Sequence, residues 1–217
     1  MTRNAEESRE ELATLNRGQG ISENDPFTEE RYRQFARRII GQQTVLDVGC
    51  NTGRGGAALK SACPSVRLFG LEMLPDRVAQ IPPGLYEAPV TGEYLEDHHS
   101  PAGGYDVILM GELIEHVPWA GIDPLIFSAK RLLKPGGKIF LTTPNPHYLL
   151  LKRRSRGSVL GGPHVSVHCP EALSQYLKFR GFNVDELCGT GRVSATLGHR
   201  WPLSFYGAYL LVATTRP

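Results

Sequence analysis

The segment Thr44 to Gly56, TVLDVGCNTGRGG, restricts the folds open to this chain more than any other. A short run of apolar and β-branched residues closed by glycines reads as a buried strand that turns directly into a helix. Gly49 and Gly53 have no Cβ and accept positive φ, so the backbone of the turn can pass close to a bound nucleoside.

Charge decides which nucleoside suits the turn. A dinucleotide brings a pyrophosphate, which needs a glycine at the middle of the turn and helix-end amides away from negative charge. Here the middle position is Asn51, and the carboxylate of Asp47 sits at the carboxyl end of the strand. That carboxylate repels a pyrophosphate and balances an ammonium or sulfonium group. The turn therefore favours S-adenosylmethionine over a nicotinamide dinucleotide. A second strand, Arg67 to Met73, carries Glu72 near its end, and an acid there accepts hydrogen bonds from ribose hydroxyls.

Three further blocks follow in order: GLEMLPDRV with Glu72, GGYDVILMGELIEHV from Gly103 to Val117, and LLKPGGKIFLTTPN from Leu132 to Asn145. With VLDVGCNTG they resemble the class I S-adenosylmethionine-dependent methyltransferases. The resemblance implies a single Rossmann-like, doubly wound α/β sheet of seven strands in the order 3-2-1-4-5-7-6, the last antiparallel, with helices on both faces. It also implies that Asp47, Gly49, Asn51, Gly53, Glu72 and Gly111 line the cofactor. By the same analogy Glu93 or Tyr94 reaches the adenine, although a solvated turn is the alternative for TGEYLED.

The pattern of segments agrees with that layout. DPFTEERYRQFARRII reads as a helix with Asp25 at its cap and Phe27, Tyr32, Phe35 and Ile39 at near-helical spacing. Strands at 44–50, 67–73, 85–90 and 105–111 alternate with helices at 53–62 and from Pro75, which implies parallel strands joined by crossovers. A helix over 122–133, a KPGG turn, a strand over 138–143, a helix over 171–180 and strands at 183–187 and in GAYLLVATT complete the reading. Residues 1–24 read as a loosely held segment or a cap over the cofactor, and 25–217 as one domain.

A chain of 217 residues with 41% hydrophobic content suits one core. A net charge of +2 does not by itself imply nucleic acid. Cys50, Cys63, Cys169 and Cys188 show neither CxxC spacing nor a disulfide framework. The charged start MTRNAEESREEL is unlike a signal peptide, and no apolar run approaches the roughly 20 residues of a membrane span, so the cytoplasm is the expected compartment.

GELIEHV holds the second constellation. A helical turn after the fourth strand places Glu112, Glu115 and His116 at i, i+3 and i+4 on one face. Two carboxylates and an imidazole suit a hard divalent cation such as Mg2+. The ExxEH pattern, followed by His164 ahead of a helix, is similar to the metal-dependent small-RNA 2'-O-methyltransferases and to the ubiquinone-pathway O-methyltransferases. That similarity implies Glu112, Glu115, His116 and His164 as metal ligands, with His168 a poorer match. Without metal, the glutamates serve the local backbone and His116, helped by Glu112, is the expected base.

An oxygen acceptor needs such help, whereas an amine needs less. A hydroxyl of a small molecule or glycan is therefore the expected substrate. The basic run Lys152, Arg153, Arg154 and Arg156, and the loop with Arg192, His199, Arg200, Trp201, Phe205 and Tyr206, are candidate acceptor contacts. An RNA 2'-hydroxyl is a weaker alternative, since no RNA-binding aromatic pattern or basic stripe accompanies it. A noncatalytic scaffold would have an eroded cofactor turn, and a dinucleotide oxidoreductase would have glycine at Asn51. The sequence is silent on oligomeric state.

Overall fold

The computed structural model describes residues 10, 13–18, 27–88, 90, 95, 98, 101, 104–151, 158–161, 163–199 and 201–216. Its strands are β1 (Thr44–Val48), β2 (Arg67–Leu71), β3 (Tyr105–Gly111), β4 (Leu133–Pro144), β5 (Phe182–Thr190) and β6 (Ala208–Thr215). Its helices are α1 (Thr28–Ala36), α2 (Arg54–Ala62), α3 (Pro75–Val78), α4 (Trp119–Leu132), α5 (Pro170–Phe179) and α6 (Arg192–Leu197). They form a Rossmann-like α/β sheet in the order β2-β1-β3-β4-β6-β5, in which β6 runs antiparallel to both neighbours.

Alternation along the strands builds two cores. Leu46, Ile108, Met110, Ile139 and Leu141 face one side and pack with Ile122, Ile126 and Ala129 of α4 and Leu173 and Leu177 of α5. Val45, Val107, Leu109 and Phe140 face the other and pack with Tyr32 and Phe35 of α1 and Leu59 of α2. The period of two fixes both memberships, because successive side chains of a strand leave opposite faces. Asp47 follows Val45 by two residues, so its carboxylate points into the α1–α2 layer.

Six strands are found among the described residues where seven were expected. The segment near Leu85 to Val90 lies beside β2, and Glu87 N–H donates to Leu68 O at 2.8 Å, but no ladder develops. Its side chains are committed elsewhere: the Tyr86 ring turns inward over Gly56 and Gly70. The remaining order agrees with the expected one.

KPGG is part of β4 rather than a turn before it. Tyr105 pairs with Leu133 and Val107 with Lys138, so the extra residues form an irregularity within the strand, with Gly136 at φ 73°. Asp25 and Pro26 lie outside the described residues, and α1 opens at Phe27 without a side-chain cap. Within the segment expected to be loosely held, residues 13–17 form a helical turn, and Arg77 donates to Asn16 O at 2.7 Å.

Strand register positions the site. Val48 is level with Leu71 of β2 and Met110 of β3, so Gly49, Glu72 and Gly111 emerge side by side. This row lies at the carboxyl ends of parallel strands, where open α/β sheets place their ligands.

Candidate active site

The glycine-rich turn is built on left-handed backbone. Gly49, Asn51 and Gly53 have φ of 71°, 54° and 82°. Asparagine is among the few side chains that accept this region, which is why Asn51 can stand where a dinucleotide site has glycine. A Cβ on Gly53 would lie 2.7 Å from Leu85 Cδ2, and one on Gly49 would lie 2.9 Å from Leu113 Cδ1. Leu113 thus packs the turn directly against the GELIEHV segment.

Glu72 ties the turn to the next strand. Its carboxylate accepts Asn51 N–H at 3.0 Å through Oε2 and Leu74 N–H at 2.9 Å through Oε1. One lone pair per oxygen remains, which matches the two donors of a ribose diol. The two acceptor oxygens therefore fit the ribose of an adenosyl cofactor. Gly111 serves by what it lacks: a Cβ there would come within 3.1 Å of Arg31 Cδ, so α1 closes on the end of β3.

Asp47 is placed otherwise than expected. Its carboxylate does not face the open turn but is fully buried, with Tyr32 donating to Oδ1 at 2.5 Å and Tyr86 donating to Oδ2 at 3.1 Å. Burial pushes its pKa up to about 7, the tyrosine hydroxyls oppose the rise, and the charge of Glu72 adds to it. The strand register explains the difference, since Asp47 shares a face with Val45. Tyr32 and Tyr86 were legible in the sequence only as apolar positions, although a buried phenol needs a partner for its hydroxyl. Cys50 is buried nearby with its thiol pushed up by desolvation, as suits a packed residue rather than a nucleophile.

GELIEHV does not form the expected continuous helical face. Only Ile114–His116 makes a single 3-10 turn, and Glu112 precedes it with φ 52°. Its N–H donates to Thr142 O at 3.0 Å and to Thr142 Oγ1 at 3.1 Å, which pins this strained residue. Glu115, His116 and His164 do converge, with their ligand atoms within 4.8 Å of one another. Glu112 is outside that group and faces Arg31, with Nε and Oε1 3.8 Å apart. Of the four residues expected as ligands, three therefore come together, because the break in helical geometry falls between Glu112 and Glu115.

His164 is delivered by backbone contacts. Val165 and Ser166 N–H groups both donate to Glu115 O, at 2.8 and 3.1 Å. The His116 and His164 rings meet edge to face with centroids 4.9 Å apart. His116 Nδ1 lies 3.1 Å from Pro163 O and His164 Nδ1 lies 2.9 Å from Val159 O. A carbonyl only accepts, so each Nδ1 that faces one donates to it. Burial holds the His116 pKa down at about 4, which keeps the ring neutral near pH 7 but makes it a weaker base than the sequence suggests.

Glu115 is 2% exposed. Thr143 Oγ1 donates to its Oε2 at 2.9 Å, while Oε1 has no hydrogen-bond partner among the described residues and lies 3.9 Å from His116 Nε2. Burial first, and then the charge of Glu112, push this carboxyl well above the usual range. Ligands of one cation at roughly 2.1 Å lie about 3 to 4 Å apart, so the three residues fit a divalent ion after a small contraction. His168 belongs elsewhere: its Nε2 lies 2.8 Å from Ser166 Oγ, and its ring packs on Trp119.

Around the mouth, Asn145 donates to Leu203 O at 2.8 Å and to Tyr206 O at 3.0 Å, joining two loops. Tyr206, expected as an acceptor contact, is fully buried and donates to Gly198 O at 2.7 Å; it braces its loop instead. Trp201 and Phe205 remain exposed, with ring centroids 5.4 Å apart. Glu93, Tyr94, Lys152, Arg153, Arg154, Arg156 and Arg200 lie outside the described residues.

The family described as "Methyltransferase domain" matches residues 9–187. The chain belongs to that family. The Rossmann-like sheet and the glycine-rich turn mark this methyltransferase domain as one of the class I, S-adenosylmethionine-dependent type. The ubiquinone biosynthesis O-methyltransferase of Thiobacillus denitrificans (strain ATCC 25259 / T1) is 31% identical over 153 residues, which cover 66% of this chain and 60% of the relative. The chain spans about three fifths of the length of the first curated relatives it matches. Among solved structures, a S-adenosylmethionine-dependent methyltransferase from Archaeoglobus fulgidus superposes with a TM-score of 0.68 at 17% identity, covering 86% of this chain and 92% of that one. The small RNA methyltransferase HEN1 gives 0.70 at 16% identity, covering 88% of this chain and 26% of that one. No helix among the described residues of the methyltransferase domain is long and apolar enough to cross a membrane.

Proposed function

We propose that this methyltransferase domain methylates a hydroxyl oxygen of a small molecule, with a divalent cation held beside the cofactor pocket. The observation that carries the reading is the convergence of Glu115, His116 and His164, with both Nδ1 atoms committed to carbonyls and Glu115 Oε1 unpaired among the described residues. Glu72 would hold the ribose hydroxyls, and the backbone of Gly49 to Gly53 would lie along the nucleoside. Gly111 would let α1 close over the end of β3 beside the cofactor.

When bound, S-adenosylmethionine supplies a methyl group activated on a sulfonium. The residues then need only to hold the acceptor in line with it, roughly 3 Å away, and to ease loss of the acceptor's proton. Asp47 acts from inside the protein, fixing the turn through its tyrosines rather than touching the ligand. Glu115, His116 and His164 would hold a divalent cation, which would lower the cost of ionising an acceptor hydroxyl. A general-base role suits His116 poorly, because burial leaves the ring little basicity. The naming of the relatives as ubiquinone biosynthesis O-methyltransferases supports an oxygen acceptor on a small molecule over a glycan or RNA.

Transfer of tritiated methyl to a panel of phenols, catechols and sugars, with and without chelator, tests this reading. Activity lost in chelator and restored by Mg2+ or Mn2+ is expected. Full activity in chelator, retained in Glu115→Gln, contradicts it.

A further inference from the structure

Arg31 of α1 faces Glu112, three residues before Glu115 of the three-residue centre. Its side chain is 12% exposed, it lies against Gly111, and its Nε stands 3.8 Å from Glu112 Oε1. That separation allows an ion pair but exceeds a hydrogen bond, and Glu112 Oε1 is buried with no hydrogen-bond partner among the described residues. Glu115, the second carboxylate, also feels the field of Arg31. Two acids are thus gathered in a largely buried pocket, and the guanidinium is a positive charge already in place beside them.

The backbone allows Glu112 to change partner without rearranging the turn. Its N–H is fixed on Thr142, so only the side chain needs to rotate. Arg31 is less free to follow. The next residue of the same helix, Tyr32, is anchored on Asp47, and the Tyr32 ring fills the space left by the missing Cβ of Gly55. The helix that secures the cofactor turn therefore also carries the guanidinium beside Glu112.

We propose that Arg31 is a built-in counter-cation for Glu112 and Glu115, which competes with a divalent ion and thereby sets how tightly the Glu115, His116 and His164 centre binds it. This rests on the cation reading above and goes beyond it, because it assigns a residue outside the ligand set. A metal that draws in Glu112 as a further ligand must take it from Arg31. A metal held by the other three still meets the repulsion of the guanidinium. Both effects weaken binding, and both end when the charge is removed.

Manganese titration followed by calorimetry and by the paramagnetic resonance of free Mn2+ tests the proposal on the intact chain, with no acceptor present. Arg31→Gln is expected to bind Mn2+ at least about five-fold more tightly than the parent, and Arg31→Lys, which keeps the charge, to stay close to it. In Glu112→Gln the gain from removing Arg31 is expected to shrink. Equal or weaker Mn2+ binding by Arg31→Gln, with the parent binding normally, overturns the counter-cation role and leaves the cation reading standing. Absence of Mn2+ binding in the parent and in Arg31→Gln, with S-adenosylhomocysteine still bound, overturns both. Circular dichroism of each variant separates these results from a loss of fold.

Discussion

The hydroxyl of Tyr32 donates to Oδ1 of Asp47 at 2.5 Å, joining α1 to the end of β1 inside the protein. Tyr32→Phe leaves that oxygen without its donor in a fully buried setting. A loss of about 1–3 kcal/mol in unfolding free energy is expected, measured by urea titration. Tyr86→Phe, which removes the 3.1 Å contact to Oδ2, is expected to cost less.

The same carboxyl gives a pH dependence of definite sign. Its folded pKa, near 7, lies above the unfolded value, so the folded state holds the proton to higher pH. The contribution of Asp47 to stability is therefore fully present below about pH 4 and declines as pH rises to about 7, by an amount on the order of 4 kcal/mol. Asp47→Asn, which cannot ionise, is expected to remove this decline. Thermal unfolding of both proteins from pH 4.5 to 8 checks it.

Gly55 offers a test in which the usual preference reverses. Within a helix, glycine to alanine ordinarily stabilises, by up to about 1 kcal/mol in the interior and less at the second position, where Gly55 stands. Here the new Cβ would fall 2.3 Å from Cε2 of the Tyr32 ring, which is buried and held by its hydroxyl on Asp47. Gly55→Ala is expected to destabilise by about 1–3 kcal/mol and to weaken binding of S-adenosylhomocysteine by calorimetry.

Ligand replacement probes the acceptor side separately. His164→Ala and Glu115→Gln are expected to weaken Mn2+ binding beyond the roughly 10- to 100-fold typical of a supporting residue. S-adenosylhomocysteine affinity is expected to stay within about three-fold, because Glu72 and the turn are untouched. Parallel calorimetric titrations measure both quantities.

Much of the sheet was legible because its signals are local. TVLDV and YDVILMG announce buried strands by composition, and β3 spans Tyr105–Gly111 as expected. What escaped depends on side-chain destinations. Leu85 to Val90 has strand-like residues, yet Tyr86 spends its ring on Asp47 and the glycines of α2 and β2. Glu112, Glu115 and His116 have helical spacing, but spacing assumes a helix, and the chain enters its turn only after Glu112. Asp47 was read for its charge rather than for the face on which the strand would place it. The convergence of His164 was accessible through family resemblance, whereas Arg31 opposite Glu112 carries no sequence motif.

The most direct test of a cation centre beside an adenosyl pocket is anomalous diffraction at the manganese edge, from crystals grown with Mn2+ and S-adenosylhomocysteine. The expected result is one peak bounded by Glu115, His116 and His164, with the nucleoside's ribose on Glu72. A bound nucleoside with no manganese at those three residues, or manganese only elsewhere on the surface, would contradict it.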